Sequence, residues 1–202
     1  MTSRITLLCV PATAALRAGR FPADDALEAD AIARLAAGRV DLGQPDHVLR
    51  SPMACARDTA HALGLVAAVD DALREIDYGR WRGLSLKEIG ASEPDALAAW
   101  LSEPDMDAHG GESLAATIAR AGRWLSGRSG SEGGMGVGSE GGSECAHTLA
   151  ITHASLIRAA VVHALHAPAQ ACLRLDVAPL SLTTLSGRPG QWRVSSVGVP
   201  FI

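Results

Sequence analysis

Short apolar runs alternate with longer stretches of helix-forming residues along most of this chain, and that alternation sets the predicted elements. Ile5 to Val10 reads as a first strand, His47 to Leu49 as a second, and Val66 to Val69 as a short third. Thr148 to Thr152 is a further short apolar run with β-branched residues, the composition of a buried strand. Ala26 to Ala37 reads as a helix that Gly38 could end. Ser51 is placed as the N-cap, and Pro52 as the first residue, of a helix reaching about Leu63. Pro94, preceded by Ser92 or Glu93, opens a helix that reaches Leu101, and Ser113 to Leu125 and Ala154 to His166 read as two more. Pro104 to Gly111 reads as loop. Ser181 to Leu185 and Trp192 to Val197, joined by the turn Gly187-Arg188-Pro189-Gly190, predict a closing antiparallel hairpin. The predicted class is α/β: a three-layer αβα sandwich on a mostly parallel central sheet with a C-terminal antiparallel hairpin.

One stretch breaks the pattern. Residues 128–145 are dominated by glycine, serine and glutamate with no hydrophobic period, which reads as a flexible insertion inside a single domain spanning 1–202. Its glycines carry no G-x-G-x-x-G or lysine-containing phosphate loop. The chain's 202 residues suit one α/β unit, and hydrophobic residues at 48% with aromatics at 3% predict a core of small aliphatics. A net charge of −4 without a basic patch argues against nucleic acid as a partner. Four cysteines without regular spacing suggest no disulfide framework, so a reduced, cytoplasmic compartment is expected. The first residues, with Arg4, an apolar run and small residues, imitate a secretion signal; the run is short, Pro11 interrupts it, and it supplies the first strand. No stretch is long and apolar enough to span a membrane.

The candidate chemistry centres on His153, which the pattern delivers at the carboxyl end of a buried strand just before a helix, where open α/β sheets hold their ligands. Alone, such a histidine reads equally well as a hydrogen-bonding group at a helix start. Its context, Ala150-Ile-Thr-His-Ala-Ser-Leu-Ile-Arg158, resembles the second-histidine motif of the histidine phosphatase superfamily, which includes the phosphoglycerate mutases. Ala154 and Ser155 stand where that motif has two glycines, and Arg158 matches its helix arginine. Four further stretches fall in the family's order. Leu7 to Thr13, followed by Arg20 and Phe21, is similar to the first-strand motif and its later arginine-phenylalanine pair. Arg50 to Ala60 is similar to the serine-proline-leucine helix start. Arg74 to Gly83 is similar to the glutamate-bearing segment with its glycine-x-tryptophan-x-glycine turn, and Gly110 to Ser113 to the start of the next helix. The resemblance spans Leu7 to Arg158 and implies a phosphoglycerate mutase-like fold.

It also implies a site and shows what that site lacks. In the family a histidine attacks the phosphoryl group, two arginines hold its oxygens, an acidic residue protonates the leaving group, and the second histidine completes the pocket. The nucleophile falls on Val10, its preceding arginine on Cys9, the following glycine on Pro11, the next glutamate on Ala12, a nearby asparagine on Leu16 and the second arginine on Cys55. Glu75 and His153 remain as the catalytic remnants. Loss of a covalent nucleophile typically lowers turnover about a million-fold, and each lost arginine removes charge-assisted bonds of roughly 1.5 to 3 kcal/mol. The expectation is therefore a degenerate member with a binding or regulatory role, taking at most a small phosphorylated or anionic ligand. Arg20 and Arg17 are the candidate ligand-binding residues; Arg57 is expected to point away. The alternative is an active phosphomonoesterase of altered mechanism, mutase-like or α-ribazole phosphatase-like. Cys9 and Cys55 with His153 and Glu75 have zinc-ligand chemistry, but no regular spacing, so no metal or other cofactor is expected. Glu75 and Asp77 alternate about Ile76 and would share a face of an extended segment. Trp81 is expected to pack against a helix.

Overall fold

The computed structural model describes residues 2–38, 42–128 and 146–200. In chain order the elements are β1 (Ser3–Cys9), α1 (Ala14–Arg17), α2 (Ala29–Ala37), β2 (His47–Arg50), α3 (Ala54–Ala62), β3 (Ala68–Val69), α4 (Leu86–Ser92), α5 (Pro94–Ser102), α6 (Leu114–Ser126), β4 (His147–Thr152), α7 (Ala154–Ala164), β5 (Ser181–Arg188) and β6 (Gln191–Pro200). Short 3-10 turns add Asp71–Leu73, Gly79–Trp81 and Ala169–Arg174. The strands form one sheet in the order β3-β2-β4-β1-β5-β6. β1, β2, β3 and β4 pair parallel, and β5 and β6 are antiparallel, as the hydrophobic pattern predicts.

The two faces of β1 explain the layers. Side chains alternate along a strand, so Ile5, Leu7 and Cys9 pack with Trp124, Leu125, Leu156 and Ile157 of α6 and α7. Leu8, with Val10 just beyond the strand, packs on the opposite face with Leu35, Cys55, Ala56 and Ala60 of α2 and α3. Ile5, Leu8, Leu149 and Ile151 have no exposed surface, and each such side chain contributes about 1.5–3 kcal/mol of burial. α6 and α7 cross closely at Gly122: a Cβ there would lie 2.4 Å from the His163 ring, so a larger residue would have to displace that half-buried side chain.

Several boundaries differ from the sequence reading. α2 begins at Ala29, not Ala26, because the Leu27 N–H is drawn to Asp58 Oδ2 at 3.1 Å. Ser51 and Pro52 do not start α3: its N-cap is Met53, and Ser51 Oγ instead accepts from the Met53 N–H and pairs with His153. α7 ends at Ala164, with His166 at a positive φ of 50°. α4 was not anticipated, although Ser85 and Glu88 form a full capping box, a pattern readable as Ser-x-x-Glu. Trp81 does pack against a helix, fully buried in a cluster with Ile89 of α4 and Trp100 of α5. The glycine- and serine-rich insertion lies, from residue 129 onward, outside the described residues. Among the described residues, no helix is long and apolar enough to cross a membrane.

Candidate active site

Register brings the site together. Cys9 pairs with Thr152, so β1 and β4 end level, and the next residue's N–H, that of Val10, donates to Thr152 O at 2.9 Å. The Ser51 N–H donates to Ile151 O at 2.9 Å, setting the end of β2 beside them. Val10, Ser51 and His153 therefore meet at the carboxyl edge of the parallel strands, the ligand-binding edge of such sheets. Over that edge opens a cavity of about 470 Å³, lined at its floor by Cys9, Val10, Cys55, Glu75, His153 and Arg158.

His153 is held at both ring nitrogens. Nε2 lies 2.9 Å from Ser51 Oγ, and Nδ1 lies 3.6 Å from Glu75 Oε2, an electrostatic contact too long for a hydrogen bond. Burial lowers its affinity for a proton, which Glu75 and Asp24 only partly restore against the opposing charge of Arg120. The imidazole is thus neutral near pH 7. With Nδ1 turned toward the Glu75 carboxylate, the consistent tautomer carries its proton there, and the Ser51 hydroxyl then donates to Nε2. The order serine, histidine, glutamate has the connectivity of an activated nucleophile, yet Ser51 has no exposed surface and is not among the residues facing the cavity. No substrate could reach its oxygen. Ser51 is an orienting group for the imidazole.

Glu75 is fixed from two sides: its Oε1 accepts from its neighbour Ile76 N–H at 2.8 Å and from the Ser155 hydroxyl. Asp77, expected on the same face, closes the next turn instead, accepting from Gly79 N–H at 2.9 Å with Arg82 at 3.4 Å. Cys9 and Cys55 line the cavity with their thiols pushed up to about 12, chiefly by burial and secondly by Glu75. Burial thus favours the protonated thiols at neutral pH over a thiolate nucleophile. Among the described residues no group of three or more histidine, cysteine or acidic side chains is arranged to hold a metal ion.

The arginines separate. Arg158 lines the cavity, its Nε donating to Ala154 O at 3.2 Å, with no carboxylate in ion-pair range among the described residues. Arg20 reaches the rim but donates to Gly83 O at 2.7 Å and Glu88 Oε2 at 3.0 Å. Arg17 does not face the cavity; it donates to Ala12 O at 2.7 Å and pairs with Glu28. Arg57 is turned outward onto Asp58, as the helical rotation predicts. Pro11 is among the lining residues. Sequence reasoning missed Ser51 as the partner of His153, Ser155 as the partner of Glu75, and the acidic side chains Asp24, Asp25 and Asp176 around the cavity. Asp24 sits at a φ of 70°, and its Oδ1 accepts the Ala54 N–H of α3 at 2.7 Å, a contact 30 residues away that no local signal announces.

Comparison with known proteins agrees with this geometry. A sequence profile of the Histidine phosphatase superfamily (branch 1) matches residues 28–200, beginning beyond β1. A glucosyl-3-phosphoglycerate phosphatase of Mycobacterium tuberculosis is 40% identical over 82 residues, covering 39% of this chain and 37% of that protein. The match thus spans little more than a third of that relative's length. Among solved structures, a protein titled mycobacterial hydrolase 1 superposes with a TM-score of 0.82 at 28% identity, over 99% of this chain and all (100%) of the other. A mycobacterial glucosyl-3-phosphoglycerate phosphatase in complex with inorganic phosphate superposes with a TM-score of 0.79 at 28% identity, over 98% of each chain. With the family profile covering most of its length, and the sheet order and cavity as described, the chain belongs to the histidine phosphatase superfamily, branch 1.

Proposed function

We propose that this protein keeps the superfamily's fold and pocket but no longer carries out phosphoryl transfer through a phosphohistidine, and that it acts as a binding or regulatory module. The observation carrying this reading is Val10. It lines the cavity at the end of β1, one peptide hydrogen bond from Thr152 and hence beside His153, where a phosphorylatable imidazole would have to stand. An aliphatic side chain offers no lone pair. Among the described residues His153 is the one histidine lining the cavity; its Nε2 is hydrogen-bonded to Ser51 and its Nδ1 faces Glu75. The two positions matched to phosphate-holding arginines carry Cys9 and Cys55, neutral and buried. Two lost charge-assisted contacts of roughly 1.5 to 3 kcal/mol each weaken a phosphate site by about a hundred-fold to ten-thousand-fold.

A second reading, an active phosphomonoesterase of altered mechanism, draws on the phosphatase relative and on the phosphate bound in the related structure. In it Arg158 and Arg20 would hold a phosphorylated or otherwise anionic ligand and Glu75 would protonate the leaving group. Hydrolysis of p-nitrophenyl phosphate by pure protein separates the two. The first reading expects release at the rate of the buffer blank for both the wild type and His153→Ala. Steady release that His153→Ala abolishes would establish the second.

A further inference from the structure

The charges around the cavity no longer suit an anion. Four carboxylates, Asp24, Asp25, Glu75 and Asp176, line it against the two guanidinium groups of Arg20 and Arg158. Features that could receive an anion already hold one of the protein's own. Asp24 occupies the first turn of α3 through the Ala54 N–H, at 2.7 Å. Glu75 takes the Ser155 hydroxyl in the first turn of α7 and lies 3.6 Å from His153 Nδ1. Arg20 is spent on Glu88. What remains among the described residues is one cation without a carboxylate partner, Arg158, against four carboxylates none of which pairs with an arginine or lysine; of these, Asp25 and Asp176 are not engaged with α3, α7 or His153.

The walls above this floor are apolar. Phe21, Tyr78 and Trp100 form one side, and the rim carries Leu16, Leu86 and Leu101, each half exposed and so unlike the leucines of the core. A volume of about 470 Å³ falls in the range of small-molecule sites. An anion entering it would lose hydration and meet a net negative surround. A cation would gain from both the carboxylates and the aromatic faces.

We propose that the cavity binds a small apolar amine, with its ammonium held by the cavity's carboxylates and its hydrocarbon body against Phe21, Trp100 and the rim leucines. This rests on the reading that the site performs no phosphoryl transfer, which leaves its charges free of the task of holding a phosphate. Three probes sharing one body and differing only in the head test it: phenylbutylamine, phenylbutyric acid and phenylbutyl phosphate. They are titrated into the full chain at low salt and neutral pH while tryptophan fluorescence reports on Trp100. The amine is expected to bind about tenfold or more tightly than either anion, and to weaken as salt rises. Asp25→Asn with Asp176→Asn should bring the amine to within about threefold of the acid, as expected when two partly or fully solvated charges supply the preference. An anion binding as tightly as the amine would overturn the proposal, as would no saturable change with the amine at millimolar concentration. Turnover of p-nitrophenyl phosphate in the same preparation keeps the two claims apart. Anion preference without turnover sinks the amine site alone, whereas turnover with amine preference sinks only the loss of chemistry.

Discussion

His153 shows how one buried side chain ties the site to the stability of the whole chain. Burial holds its imidazole below the ordinary value of 6.5, and burial acts in the same direction at His109, His147 and His163. As pH falls below about 6.5 the unfolded chain takes up protons that the folded chain resists, so the unfolded state gains. Stability is kept above that window and declines within it. Thermal unfolding should therefore begin at a lower temperature at about pH 5 than at about pH 7, with His153→Gln flattening part of the difference. A midpoint independent of pH across that range would show that these histidines ionise equally in both states. His153 and Glu75 were legible because the sequence places each in an ordered motif. Ser51, Ser155 and Asp24 were not, since their roles depend on contacts 102, 80 and 30 residues away that hydrophobic pattern does not encode.

At the scale of elements, the turn from Asp77 to Gly83 decides how the segment bearing Glu75 is presented. Gly79 has a φ of +49°, and a Cβ there would lie 2.1 Å from the His109 carbonyl oxygen; one on Gly111 would lie 1.9 Å from Asp77 O. The turn and the loop before α6 are thus locked backbone to backbone, with Trp81 buried between them and α4. Gly79→Ala should destabilise the fold by about 1–3 kcal/mol, combining a strained φ with a backbone clash. Chemical denaturation measures this, and an unchanged midpoint would contradict the packing. The same region shows where sequence reading stopped. The glycine-x-tryptophan-x-glycine spacing located the turn, but α4 went unseen although Ser85 and Glu88 announce it, because Leu86 to Ser92 is too short for a helical hydrophobic period to stand out. The parallel strands were legible, since runs such as Ile5 to Val10 and Thr148 to Thr152 are apolar on both faces and too brief for a helix of ordinary length.

For the molecule as a whole, the sheet and its helical layers are those of the superfamily, and the cavity sits where the topology puts it. The central claim is that the scaffold persists while the group that would carry a phosphoryl intermediate does not. A variant with Cys9→Arg, Val10→His, Pro11→Gly and Cys55→Arg together would supply, on the proposed reading, the charge and nucleophile of phosphoryl transfer at positions that already face the cavity. The most direct measurement is the intact mass of wild-type and variant proteins, quenched under alkaline conditions shortly after mixing with p-nitrophenyl phosphate. The account predicts a phosphoryl adduct on the variant and none on the wild type. A phosphohistidine on the wild-type chain would contradict it.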